Sequence, residues 1–163
     1  MDFNRQTRMT PEFVADTTLQ NQQKANWIYI FTKAPRMPIP DSVLTGIFKS
    51  VSADVASIQS RGGKVLFVRM PSSGIILEIE KQAFPREKYW NRLLQETGAP
   101  GIHFEDYPEL SKYACPEWSH LSPADAKTFT ADFVRIMHQK TGWPITQHSM
   151  SSPDSSPSSL TIR

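Results

Sequence analysis

The run Lys64-Val-Leu-Phe-Val-Arg-Met70 limits this chain more than any other stretch, because it is short, β-branched and aromatic, and bounded by Gly62-Gly63 before it and Pro71-Ser-Ser-Gly74 after it. It lacks the alternation of a strand with one wet face. Such a run is buried on both sides, and parallel sheets, with helices covering both faces, are where such strands occur. Flanking helices are therefore required, and the sequence offers them. Over residues 41–60, Leu44, Phe48, Val51, Val55 and Ile58 recur at helical steps, with Asp41 placed to cap the start and Arg61-Gly62-Gly63 to stop it. Residues 75–83 read as a loop with some apolar content. Pro85 suits a first helical position, and Tyr89, Trp90, Leu93 and Leu94 make an apolar face that ends at Thr97-Gly98. A second strand is expected over 102–107. Ser122, Pro123 and Asp125 form an N-terminal signature for a last helix, with Ala126, Phe129, Phe133, Ile136 and Met137 as its buried stripe and Gly142 as its end.

The order over 41–140 is helix, strand, helix, strand, helix, the pattern of an open α/β sheet with right-handed crossovers. Upstream, Thr10-Pro11 starts a helix running towards Trp27 and Phe31, and 36–40 is a proline-rich connector. The organisation expected is an N-terminal helical or irregular segment over 1–40, an α/β unit over 41–146 and a disordered Ser/Pro-rich tail over 147–163. Only two strands are visible, fewer than a sheet usually has, so the chain is expected to be the later half of something larger.

Several classes of function are set aside by composition. Eighteen basic against sixteen acidic residues, scattered along the chain, leave a net charge of +2 and no basic stripe for nucleic acid. One cysteine makes neither an internal disulfide framework nor a four-thiolate zinc site. No apolar run is long enough for a membrane span, and no signal peptide is visible, so the default compartment is the cytoplasm. No cofactor is expected.

In open α/β sheets the working residues gather beyond the carboxyl ends of the strands. The loop over 115–125 reaches that edge and carries Glu117-x-x-His120. A carboxylate three residues before an imidazole can accept the proton of one ring nitrogen and leave the other free as a base, the base-and-orienter half of a Ser-His-Asp type triad. Other residues read differently. Cys115 is a small buried hydrophobe before it is a thiol nucleophile paired with His120. A metal site from His103, Glu105, Glu117 and His120 lacks any known ligand spacing, and His103 is read as a strand residue facing a helix or solvent. Asp106 is expected to satisfy backbone donors in the Tyr107-Pro108 turn, and Arg69 to bind an anionic group or pair with an acid such as Asp106. Trp90 is assigned to the core and Trp118 to a pocket wall, and His138 and His148 to solvent. Ser72 and Ser73 lie on the active edge without a nucleophile elbow, and Ser119 is not expected to reach the imidazole of its neighbour.

The segment EWSHLSPADAKTFTADF, with FVRMPSSG, FPREKYWNRLLQET and IHFEDYPEL before it, resembles the closing part of the SGNH hydrolases, also called GDSL esterases or lipases, over residues 41–140. The resemblance implies a partial flavodoxin-like parallel sheet flanked by helices, with His120 as catalytic base and Glu117 as its acidic partner, where the family has Asp. The family's Gly-Asp-Ser-like nucleophile turn and the Gly and Asn of its oxyanion hole have no counterpart in the sequence. The expected function is thus the C-terminal part of an ester hydrolase, inactive alone, whose completed site would take a small-molecule or acylated substrate. The alternative is a non-catalytic α/β interaction module, self-associating through an exposed sheet edge.

Overall fold

Helix formation starts where side chains can satisfy the first free N–H groups. In the computed structural model, which describes residues 8–33 and 38–144, the Thr10 hydroxyl accepts from Phe13 N at 3.2 Å and opens α1 (Pro11–Ala15). Asp16 breaks the chain and caps α2 (Thr17–Lys33), its carboxylate accepting from Thr18 N at 2.7 Å. The single helix expected here is therefore two. The buried Gln20 amide ties them together by donating to Phe13 O and Val14 O at 3.1 and 2.9 Å. The tail with His148, the first seven residues and part of the 36–40 connector lie outside the described residues.

The order continues with α3 (Asp41–Ser60), β1 (Phe67–Arg69), α4 (Gly74–Ala83), a π-helical turn (Glu87–Asn91) running into α5 (Arg92–Thr97), β2 (Gly101–His103), a 3-10 turn (Phe104–Asp106), α6 (Pro108–Ser111) and α7 (Pro123–Thr141). Most described residues are helical, around a two-stranded parallel sheet. The fold is α/β in this loose sense. The strands pair Phe67 with Gly101, Val68 with Ile102 and Arg69 with His103.

Both strands are shorter than expected. β2 stops at His103 because its ring accepts the Glu105 N–H at 3.3 Å and starts the 3-10 turn, so 104–106 do not alternate between faces. Residues 75–83 are helical, not a loop: Ile75-Ile-Leu-Glu-Ile-Glu-Lys81 hides its period because Ile76 alone is fully buried and Ile75 is exposed. Asp41 does not cap α3. Pro40 occupies the cap position and the Asp41 carboxylate instead accepts from Arg92 Nη1 at 3.0 Å, joining α3 to α5. α7 starts as its sequence requires, with Ser122 Oγ accepting from Asp125 N at 3.1 Å and donating to the Asp125 carboxylate at 2.8 Å.

The sheet has helices on both faces. Ile102, 1% exposed, packs with Phe129 and Ile136 of α7, Leu110 of α6 and Phe104. On the other face Gly101 lies under Leu94 and Trp90: a Cβ there would fall 2.6 Å from Leu94 Cδ2 and 2.8 Å from Trp90 Cζ2. No helix of the described residues is long and apolar enough to cross a membrane. Because the sheet is pinned between these layers, Gly101→Val is expected to cost about 1–3 kcal/mol by overpacking and Ile102→Ala about 2–5 kcal/mol by cavity formation, read as shifts of the urea midpoint at constant slope.

Candidate functional site

The 115–122 loop is laced to the turn that follows β1. Cys115 N donates to Ser73 Oγ and Ser73 N donates to Trp118 O, both at 2.9 Å. Trp118 has φ +77°, the one positive φ outside glycine among the described residues, and such a conformation costs a bulky residue of order 1–3 kcal/mol. Its ring is held against Gly74, where a Cβ would come within 2.4 Å of Trp118 Nε1, and Lys24 Nζ stands 5.5 Å from the ring. This reversal brings the side chains of Glu117, Ser119 and His120 together.

Glu117 is 3% exposed. Its Oε2 accepts from Trp27 Nε1 at 2.7 Å, its Oε1 lies 2.9 Å from His120 Nδ1, and Ser119 Oγ is 2.8 and 2.7 Å from the two oxygens. Burial alone would raise its pKa, but the hydrogen bonds from Trp27, Ser119 and His120 together outweigh it and hold the carboxyl below its ordinary value. An ionised carboxylate only accepts, so in a neutral ring this contact favours the proton on Nδ1 and leaves Nε2 as the free acceptor. The His120 side chain is 74% exposed while that of Glu117 is 4% exposed, so the acid is fixed and the ring is presented. It stands at a cavity of about 650 Å³ whose walls include Met9, Phe13, Trp27, Met70, Leu121 and Phe129.

The pair expected from sequence, Glu117 and His120, is thus in hydrogen-bond contact. Three surroundings differ from expectation. Ser119 does reach its neighbour, with Oγ 2.7 Å from His120 Nδ1, because the left-handed turn at Trp118 folds both side chains onto Glu117. It sits on Nδ1, the nitrogen that faces Glu117, and not on Nε2. Trp118 packs on Gly74, and Trp27 supplies the indole of the cavity wall. Trp27 is the residue that sequence reasoning missed as a partner; ninety positions separate it from Glu117, and an indole in a mostly polar helix was the one available sign.

The remaining candidates are spoken for. Cys115 is buried, its thiol directed to Pro71 O at 3.7 Å, and burial raises its pKa. Ser72 Oγ donates to Glu80 at 2.7 Å, Ser73 Oγ accepts from Cys115 N, and Arg69 pairs with Glu80, not with Asp106. Asp106 accepts from Arg86 at 2.6 Å instead of serving its turn, and that bond lowers its pKa. The exposed His138 has Nδ1 2.7 Å from Trp143 O. His103 and Glu105 line a different cavity from Glu117 and His120, and among the described residues no three His, Cys, Asp or Glu side chains gather as a metal site. No protein-family model, curated protein or solved structure compared with the chain matches it.

Removing a buried acceptor of three donors is costly. Glu117→Ala should lower stability by about 1–3 kcal/mol, whereas Ser119→Ala should cost less, since Trp27 and His120 still satisfy the carboxylate. The pH dependence has a definite sign. The folded-state pKa of Glu117 is the lower one, so its contribution is complete above the unfolded value and is lost as the pH falls through the folded value. Urea titrations should show the stability gap between the native chain and Glu117→Gln closing in the acid range below pH 4.5 and constant near neutrality.

Proposed function

We propose that the chain is the C-terminal part of an SGNH-like ester hydrolase, with His120 as general base and Glu117 as its positioning residue. The observation that carries this reading is the 2.9 Å contact from a buried Glu117 oxygen to Nδ1 of an exposed imidazole at the mouth of a largely apolar cavity. In the completed site a serine hydroxyl gives its proton to His120 Nε2 as the oxygen attacks the ester carbonyl. The imidazolium is stabilised by the Glu117 carboxylate and then returns the proton to the leaving alcohol. Glu in place of the family's Asp is accommodated by burial and by Trp27, which fix the longer side chain. Ser72, Ser73 and Ser122 are engaged in structural hydrogen bonds, and in this reading the nucleophile and oxyanion donors belong to a segment not present in this chain. In this reading β1 and β2 are the late strands of a flavodoxin-like sheet.

One observation favours a second reading as a docking module. Among the described residues β1 has one strand neighbour, and Val68 and Met70 are 38% and 49% exposed, so an added strand, from a second copy or another chain, would have an edge and an apolar flank to join.

The two readings part in one assay. A purified chain that carries the base without the nucleophile should hydrolyse p-nitrophenyl acetate no more than about tenfold faster than free imidazole, with the excess lost in His120→Ala and with the ¹⁵N shifts of His120 showing Nδ1 protonated. A turnover far above that level, or one unaffected by His120→Ala, would overturn the assignment. An Nε2-protonated ring in the neutral range would favour the docking module.

A further inference from the structure

A second cavity of about 620 Å³ opens where the strands end on the other face of the sheet, and the hydrolase reading makes no use of it. Arg69 and His103, the last residues of β1 and β2 and partners in register, both line it. Its volume is that of a small-molecule site, and the carboxyl edge of a parallel sheet is where such sites form.

The charges around it are settled among themselves. Arg69 pairs with Glu80, Lys81 with Glu105 at 3.0 Å, and Arg86 with Asp106 at 2.6 Å. Glu87 adds a further acid to the lining. An anion would have to break one of these pairs, so the electrostatics favour a neutral guest. The walls are aromatic: Phe48, Phe84, Tyr89, Trp90 and Phe104. Phe84 is 53% exposed, and its ring meets Tyr89 edge-on at 5.3 Å. Tyr89 and Trp90 belong to the π-helical turn, an irregularity that recurs at binding sites because it alters where side chains project.

His103 supplies the polar group. Its ring stands edge-on to Trp90 and stacks on Phe104, both at 5.3 Å, and its Nδ1 accepts from Glu105 N. Burial, followed by the Arg86 charge, lowers its pKa, so the imidazole is neutral and carries its proton on Nε2. That N–H has no acceptor among the described residues, yet none of their side-chain nitrogens or oxygens is both buried and unpaired. Nε2 is therefore not fully buried, and the ring that carries it lines the cavity.

We propose that this cavity binds a small neutral molecule built on a planar aromatic ring, the ring lying against Trp90, Tyr89 and Phe84 and a hydrogen-bond acceptor on the ligand taking the His103 Nε2 proton. Flat aromatic walls select a π-face over a saturated ring of equal size, and the closed ion pairs select against a carboxylate.

Three probes test it on the ¹⁵N-labelled full chain: benzamide, its saturated counterpart cyclohexanecarboxamide, and benzoate. Benzamide in the millimolar range should give saturable shifts of the Trp90 indole N–H and of the Phe84, Tyr89 and His103 amides, with the other two binding roughly fivefold more weakly. Phe84→Ala, at a position 53% exposed, and His103→Phe should each weaken benzamide by a similar factor, while His120→Ala should leave it unchanged. Shifts that do not saturate, equal binding of the saturated amide, or an unaltered affinity in Phe84→Ala would overturn the proposal. If His103→Phe does not fold, Phe84→Ala and the probe comparison still decide.

Discussion

A buried carboxylate is tolerated only when its oxygens are filled with donors, and that requirement at Glu117 organises much of this protein. Trp27 arrives from α2, Ser119 and His120 from the loop before α7, and the three meet on one side chain that is 4% exposed. The N-terminal helices are thereby anchored to the α/β part through an ionic hydrogen bond, on one side of a cavity to which Met9 and Phe13 also contribute. The left-handed conformation of Trp118 is the local cost, offset by its packing on Gly74 and by the hydrogen bond from Ser73 N to its carbonyl. The same interaction fixes the imidazole without covering it. Structural tie and presented imidazole are thus one arrangement.

The carboxyl edge of the sheet serves two different spaces. On one face Met70 and Pro71 lead into the cavity with His120, and on the other Arg69 and His103 lead into the aromatic one. The two histidines are held by opposite logic. His120 has its Nδ1 against a carboxylate and its ring in solvent, which suits an acceptor of protons. His103 has its Nδ1 occupied by a backbone N–H and its ring among aromatics, which suits a neutral donor. Burial and the partner of a single nitrogen decide between the two roles.

Legibility in the sequence followed the range of the interaction. The last helix was plain in Ser122-Pro123-x-Asp125, because a cap acts over three residues, and Gly98 and Gly142 marked ends by their left-handed conformations. The Glu117–His120 pair was legible for the same reason, its members being three apart. α4 was not, since its burial falls on Ile76 and its exposed Ile75 and half-buried Leu77 blur the helical period. Asp41 looked like a cap because a cap is what an acid before an apolar helix most often is; only the approach of Arg92, fifty-one positions on, gave it another partner. Strand lengths were overestimated because the hydrophobic run measures what a strand could bury, whereas pairing depends on how far the neighbour extends. β2 ends where the His103 ring takes up the Glu105 N–H.

By itself, then, the sequence determined the alternation of helices with two apolar strands, the cap of α7 and the adjacency of Glu117 to His120, all consequences of side chains acting on their own backbone within a few residues. Tertiary structure alone decided that Trp27 completes the acid, that Ser119 joins the orienting side, that Arg69 belongs to Glu80 and Arg86 to Asp106, and that His103 faces a cavity. Those outcomes depend on which distant groups a folded chain brings together, since hydrogen bonds need heavy atoms within about 3 Å and the attraction of an ion pair weakens with distance.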